Sequence, residues 1–302
     1  MRKLAGELYG TGGDNKEFCM KEEKQEWTRV ITPKRHLLDV DIKSVWRYRD
    51  LIYMSVRRDI VVQYKQTILG PLWYLMQPLL TTIMFMFVFG GIANISTDGM
   101  PQPLFYMAGL LLWNYYSSCF NACSDIFGAN AVVFGKVYFP RLVVPISSVI
   151  SNLLKMLIQL GLFVAFYVYY AIKGAPICVN WSLLLFPFLV VMTALHAMSW
   201  GLIVSSLTTK YKDLKFLITF AVQLLMYATP IVYPLSAAPE KYRWILELNP
   251  LTPILEAFKY SCMGCGSLSW GGLLYSFVFM TVSLVLGIIV FSRQERTFMD
   301  TV

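Results

Sequence analysis

Few side chains in this sequence have a claim to covalent chemistry. They are two histidines far apart in the chain, His36 and His196, one CxxC pair, Cys262 and Cys265, and three carboxylates near apolar stretches, Asp125, Glu247 and Glu256. A Ser-His-Asp triad or a metal-activated water needs imidazoles and carboxylates that converge, and these do not. One CxxC supplies two of the four ligands of a structural zinc, so no metal site is expected. Cys119 and Cys123 sit in an apolar run, where a thiol packs as a small hydrophobe. A transferase buried in a membrane would need a paired carboxylate or histidine on a membrane face, and the three carboxylates form no such motif. Nucleotide chemistry fares no better. The nearest approach to a GxxxxGK[ST] phosphate loop is Gly135-Lys136, with Asn130 in place of the first glycine and Val137 in place of the hydroxyl residue. No catalytic residue is expected, and no cofactor in this chain. If ATP drives the protein, ATP and magnesium belong on a second polypeptide.

The rest of the composition says what the chain is built for. It has 302 residues, 57% hydrophobic and only 15% charged, where a soluble domain carries about 25% charge. Lipid accepts apolar side chains that water would not. The net charge of +8 could draw nucleic acid or an anionic membrane; the basic residues lie scattered between apolar runs, which favours the membrane and leaves no nucleic-acid partner.

About 20 apolar residues cross a hydrocarbon core of about 30 Å as a helix. Six stretches qualify: 72–95, 104–123, 142–172 with its clean part at 156–172, 183–207, 216–232 and 273–291. The expected fold is therefore an all-α polytopic membrane protein with six transmembrane helices. Basic residues gather before the first stretch, at Lys136 and Arg141, at Lys210, Lys212 and Lys215, and at Arg293 and Arg296, while the alternate loops are poorer. By the positive-inside rule both termini are cytoplasmic. Residues 1–33 hold six basic and six acidic side chains and no apolar core; they read as a flexible cytoplasmic tail without a cleavable signal. Residues 34–69 carry eight basic residues against four acidic ones, with apolar positions at roughly helical spacing. They read as an amphipathic interface helix on the cytoplasmic membrane surface, or as a soluble helix packed on a partner. The six-span domain is 70–295, and 296–302 is a cytoplasmic C-terminus.

The connection after the fifth stretch is long and not very polar. It holds Asn-Pro-Leu-Thr-Pro at 249–253, a helical pattern over 254–263, and glycines at 264, 266, 271 and 272. It reads as short re-entrant helices lining a cavity or gate, since irregular backbone survives at membrane depth only where protein or water satisfies it; the alternative is a folded external loop. The spans lack the buried charges of an ion-coupled carrier. Lys155 can snorkel, and His196 reads as a hydrogen-bonded packing residue. Aromatic residues make up 15% of the chain. Trp73, Tyr74, Trp113, Tyr116, Tyr227 and Tyr233 fall near span ends, where they either anchor helices at the interface or line a pathway over which sugar rings slide.

Four stretches carry a resemblance: 66–78 (QTILGPLWYLMQP), 136–141 (KVYFPR), DLKF at 213–216 with MYATPIVYP at 226–234, and 249–254 (NPLTPI). In this order and spacing, over roughly 45–295, the chain resembles the membrane subunits of type-2 ABC exporters of bacterial surface polysaccharide, the O-antigen, teichoic acid and capsule permeases. The resemblance implies a multi-pass permease of the bacterial cytoplasmic (inner) membrane, working as a homodimer with two copies of an ATP-binding cassette subunit. It implies a coupling segment at 125–141 that meets the ATPase, with Phe134, Lys136, Phe139 and Arg141 as contacts. It implies a glycan carried on undecaprenyl diphosphate, whose headgroup Arg57, Arg58 and Lys65 would attract; those three would equally serve anionic lipid. The alternative within the same class is a permease for a drug or other small hydrophobic molecule. A channel or ion-driven flippase is the alternative outside it.

Overall fold

Inside a hydrocarbon layer every backbone N–H and C=O must be bonded within the chain, and a helix does this segment by segment. Helix is the only regular structure among the described residues. The computed structural model describes residues 42–65, 70–134, 139–211 and 213–301, all within one unit that begins at Leu37. The expected tail, 1–33, and Lys136 lie outside the described residues.

The helices are α1 (Ile42–Arg47), α2 (Arg49–Lys65), α3 (Trp73–Phe85), α4 (Gln102–Ser124), α5 (Ile126–Phe134), α6 (Val143–Ile172), α7 (Phe186–Lys210), α8 (Leu214–Tyr227), α9 (Glu240–Leu248), α10 (Thr252–Met263) and α11 (Trp270–Thr301). α3 continues as a π-helical stretch, Met86–Ile92. Pro78 lies inside α3 and has no N–H to donate; Thr82 Oγ1 donates to the Pro78 carbonyl at 2.7 Å.

Four helical stretches are long and apolar enough to cross a membrane: Trp73–Ile92, Val143–Ile172, Trp181–Thr209 and Trp270–Gln294. Six were expected, and the two outside this set differ from it for separate reasons. α4 has the length, but Asn114, Ser117, Ser118 and Asn121 dilute its apolarity. The helix is the hub of the bundle, packed on α3, α6 and α7, and most of its residues are buried. Helix neighbours replace lipid around it, so its composition need not be lipid-like. α8 is strongly apolar but has only 14 residues, about 21 Å at the usual rise.

Small residues let these helices approach. Gly201 of α7 meets the Cys123 side chain of α4 with no room for a Cβ, and a Cβ on Gly287 of α11 would stand 2.7 Å from the Ser199 carbonyl of α7. Ser199 and Ser283 also join α7 to α11 by a hydroxyl pair at 3.0 Å. Close approach through small residues and shared hydroxyls is how helices associate where lipid removes the hydrophobic drive. Replacing Gly287 by leucine is expected to cost on the order of 2 kcal/mol through overpacking. The check is a lower thermal unfolding midpoint of the detergent-purified chain.

The connection after α8 folds into two unlike helices: α9 buries nothing, whereas nearly every residue of α10 is buried. α2 packs on α6 with Val56 inside, while its Tyr53, Met54 and Val62, and Trp46 of α1, stay exposed.

Candidate functional site

Three regions gather the polar and aromatic side chains that the sequence singles out. The first is the turn from α4 into α5. Asp125 forms the turn, its carboxylate 2.6 Å from the Lys215 ammonium at the start of α8, and Thr208 Oγ1 donates to the Ser124 carbonyl at 3.1 Å. Beyond it, Phe134, Phe139 and Arg141 all face inward, at 4%, 8% and 4% exposure. The Arg141 guanidinium stands 5.2 Å over the Phe134 ring and 5.8 Å over Phe127. Phe127 in turn stacks on Phe291 of α11 at 4.9 Å. Through these contacts the three side chains brace α5 against the start of α6 and against α11. A basic residue in a short loop gives no sign of its own burial.

Beside this turn, α2, α4 and α6 enclose a polar recess of about 540 Å³ that adjoins a second of about 530 Å³. Arg58 and Lys155 bring two cations to the first. Arg58 pairs with Asp59 at 3.0 Å, and Ser151 Oγ donates to the other Asp59 oxygen at 3.3 Å. Lys155 Nζ donates to Asn152 Oδ1 at 3.0 Å and lies 5.7 Å over the Tyr74 ring. Asn121 and Ser148 line both recesses. Arg57 and Lys65 are exposed and stand outside this lining. The sequence held a signal for the recess: Ser148, Ser151, Asn152 and Lys155 recur at helical spacing along an otherwise apolar α6.

The third region is the opposite end of α4. Tyr233 lines a cavity of about 510 Å³ together with Tyr242 and Asn94, and its hydroxyl donates to the Tyr227 carbonyl at 3.1 Å. Asn249, at the turn between α9 and α10, donates to Thr229 Oγ1 at 3.0 Å. From α10, Lys259 Nζ donates to the Pro230 carbonyl at 2.6 Å. Glu256, Cys262 and Cys265 are buried beside it.

The remaining aromatics divide. Trp113 and Tyr116 are buried in the bundle, 5.5 Å apart, and Tyr116 also faces His196 at 6.2 Å. His196 stacks on Phe279 at 5.7 Å, which makes it part of an aromatic core. Trp73 and Tyr227 are exposed.

Residues 50–263 match the family model described as ABC-2 type transporter. The chain is 26% identical over 251 residues, 83% of its length and 94% of the relative's, to the O-antigen export system permease protein RfbA of Klebsiella pneumoniae. It is 24% identical over 254 residues, 81% and 93% of the two chains, to the polysialic acid transport protein KpsM of Escherichia coli. It is 23% identical over 236 residues, 76% and 85%, to the inner membrane transport permease YadH of Escherichia coli strain K12.

Proposed function

We propose a function from one premise: this chain belongs to the ABC-2 type transporter family. It is the permease subunit of an ATP-driven exporter of bacterial surface polysaccharide, and its cargo is a glycan on undecaprenyl diphosphate. Relatives named for O-antigen and polysialic acid support the polysaccharide. In this reading α4 and α8 are the two remaining spans, because the other members of the bundle surround α4 and the α9–α10 hairpin completes the depth that α8 does not reach. Both termini are cytoplasmic, as the distribution of lysine and arginine supports. The α4–α5 turn and the recess then face the cytoplasm, and α9 and α10 dip into the outer leaflet and close the outer mouth.

The observation that carries the reading is the recess beside α2. A polar hollow at the edge of a bilayer is costly unless water or a polar ligand fills it. Two cations against one carboxylate suit a diphosphate, and the adjoining asparagine and serine side chains suit the hydroxyls of the first sugar. Tyr74, under the Lys155 ammonium, starts an aromatic route that Tyr227 and Tyr233 continue at the outer end. Aromatic faces let sugar rings slide without breaking strong hydrogen bonds.

Motion comes from elsewhere. Two copies of this chain and two ATP-binding subunits form the transporter, with ATP and magnesium on the partner. Closure of the motors moves the segment 125–141, in which Phe134, Phe139 and Arg141 act as the internal brace and Lys136 as a contact. Arg57 and Lys65, outside the recess, serve to attract headgroups or anionic lipid to the surface.

The test is the double variant Arg58→Gln with Lys155→Met. Export of surface glycan is expected to fall at least tenfold, and lipid-linked glycan to accumulate inside the cell, with protein level unchanged. Normal export at normal protein level would reject the headgroup role. A gene deletion that leaves surface glycan intact would reject the polysaccharide itself and favour a small hydrophobic cargo.

A further inference from the structure

We propose that Lys259 is the latch of the outer mouth, held by the Pro230 carbonyl when the mouth is shut and by Glu256 when it opens. The word mouth rests on the reading of α9 and α10 given above; the latch itself rests on geometry. Lys259 is 1% exposed. Its ammonium donates to Pro230 at 2.6 Å and stands 3.9 Å over the Phe105 ring of α4. One charge thus joins α10, the turn after α8, and the hub helix. The only other side-chain tie from the hairpin to that turn among the described residues is the neutral pair of Asn249 with Ala228 and Thr229.

Glu256 lies one turn earlier on the same helix and is 3% exposed. Its Oε1 has no hydrogen-bond partner among the described residues. Its other oxygen sits against Gly266, where a Cβ would come within 2.9 Å, and the backbone of Ser267 is bonded to the carboxylate. Residues three apart on a helix are neighbours, yet the Lys259 ammonium bonds across to Pro230. α10 therefore carries a committed donor and, within reach of it, an idle buried acceptor. An idle buried carboxylate oxygen is unfavourable in the state that holds it, and a second state that uses it gives a reason to keep it.

Opening supplies that state. When α10 leaves the Pro230 turn, the ammonium loses its carbonyl while still screened from water. A swing to Glu256 gives it an ion pair that travels with α10. Each position of the hairpin then has a partner for Lys259, the condition for two discrete states in place of one state and a strained excursion. No bond is made or broken except hydrogen bonds, and no proton needs to leave.

The test uses the full transporter, this chain with its ATPase partner in lipid nanodiscs. Hydrogen exchange is followed over 228–234 and 252–263, at rest and during ATP turnover. In the wild type, ATP is expected to speed exchange in both segments. Lys259→Met keeps the bulk but no donor, and is expected to speed resting exchange about tenfold. Glu256→Gln keeps the shape, and is expected to leave resting exchange within twofold of wild type while removing the ATP-dependent increase. The idea fails if Glu256→Gln loosens the resting state as Lys259→Met does, or if it opens with ATP like the wild type. It also fails if Lys259→Met rests as tightly as wild type. These rates need no substrate, so they decide the latch even where a glycan export assay rejects the polysaccharide.

Discussion

Arg141→Ala is expected to bring surface glycan to background and to lower the unfolding midpoint of the purified chain more than any exposed substitution. The side chain is 4% exposed and its guanidinium covers two aromatic faces at 5.2 and 5.8 Å. A desolvated cation over a ring is worth about 2 kcal/mol, and truncating a large buried side chain adds about 2–4 kcal/mol for the cavity. The sum is a large part of the few kcal/mol that separate folded from unfolded in an ordinary domain. Loss would spread, because the Phe127 ring under Arg141 stacks on Phe291 of α11. Lysine at 141 keeps the charge but not the flat surface, so it should recover only part of the midpoint. Wild-type export and midpoint in Arg141→Ala would show that the brace is dispensable.

An effect just as large is expected from outside the chain. Replacing the phosphate-binding lysine of the partner ATPase should abolish export while the permease remains in the membrane at its usual level. The sequence holds no phosphate loop, only Gly135-Lys136 in an unsuitable context. The diphosphate of the proposed carrier could not cross about 30 Å of hydrocarbon unaided, since even one charge at the bilayer centre is heavily penalised. Quantifying surface glycan in the two strains checks this directly. Persistent export with a dead ATPase would point to an ion-driven flippase.

The long helices were legible because lipid demands long apolar runs. The expected stretch 142–172 became α6, and 72–95, 183–207 and 273–291 lie close to the other three long apolar stretches. The extent of α4 was also readable, although its polarity reflects a place at the centre of the bundle that composition alone does not reveal. Burial of Arg141 was not readable. Its guanidinium lies over Phe134 and Phe127, and Phe127 is held in turn by Phe291 from the far end of the chain, while positive-inside reasoning treats every loop arginine as solvated. The recess was half readable: the polar stripe of α6 is periodic, but its pairing with Arg58 and Asp59 joins segments 92 residues apart. The Glu256 carboxylate looked like a stray acid because its helix partner Lys259 is bonded to a residue 29 positions away.

α8 has one buried side chain, Val222, along its 14 residues, yet both of its tips are fastened. Lys215 is tied to Asp125 at one tip, and just past the other Thr229 and Pro230 are tied to Asn249 and Lys259. A bar pinned at its extremities and loose along its flank can tilt or slide, but its length hardly changes. Under the proposed coupling, a thrust on the Asp125 turn would reach the far tip across about 21 Å of helix, much as a connecting rod relays a stroke.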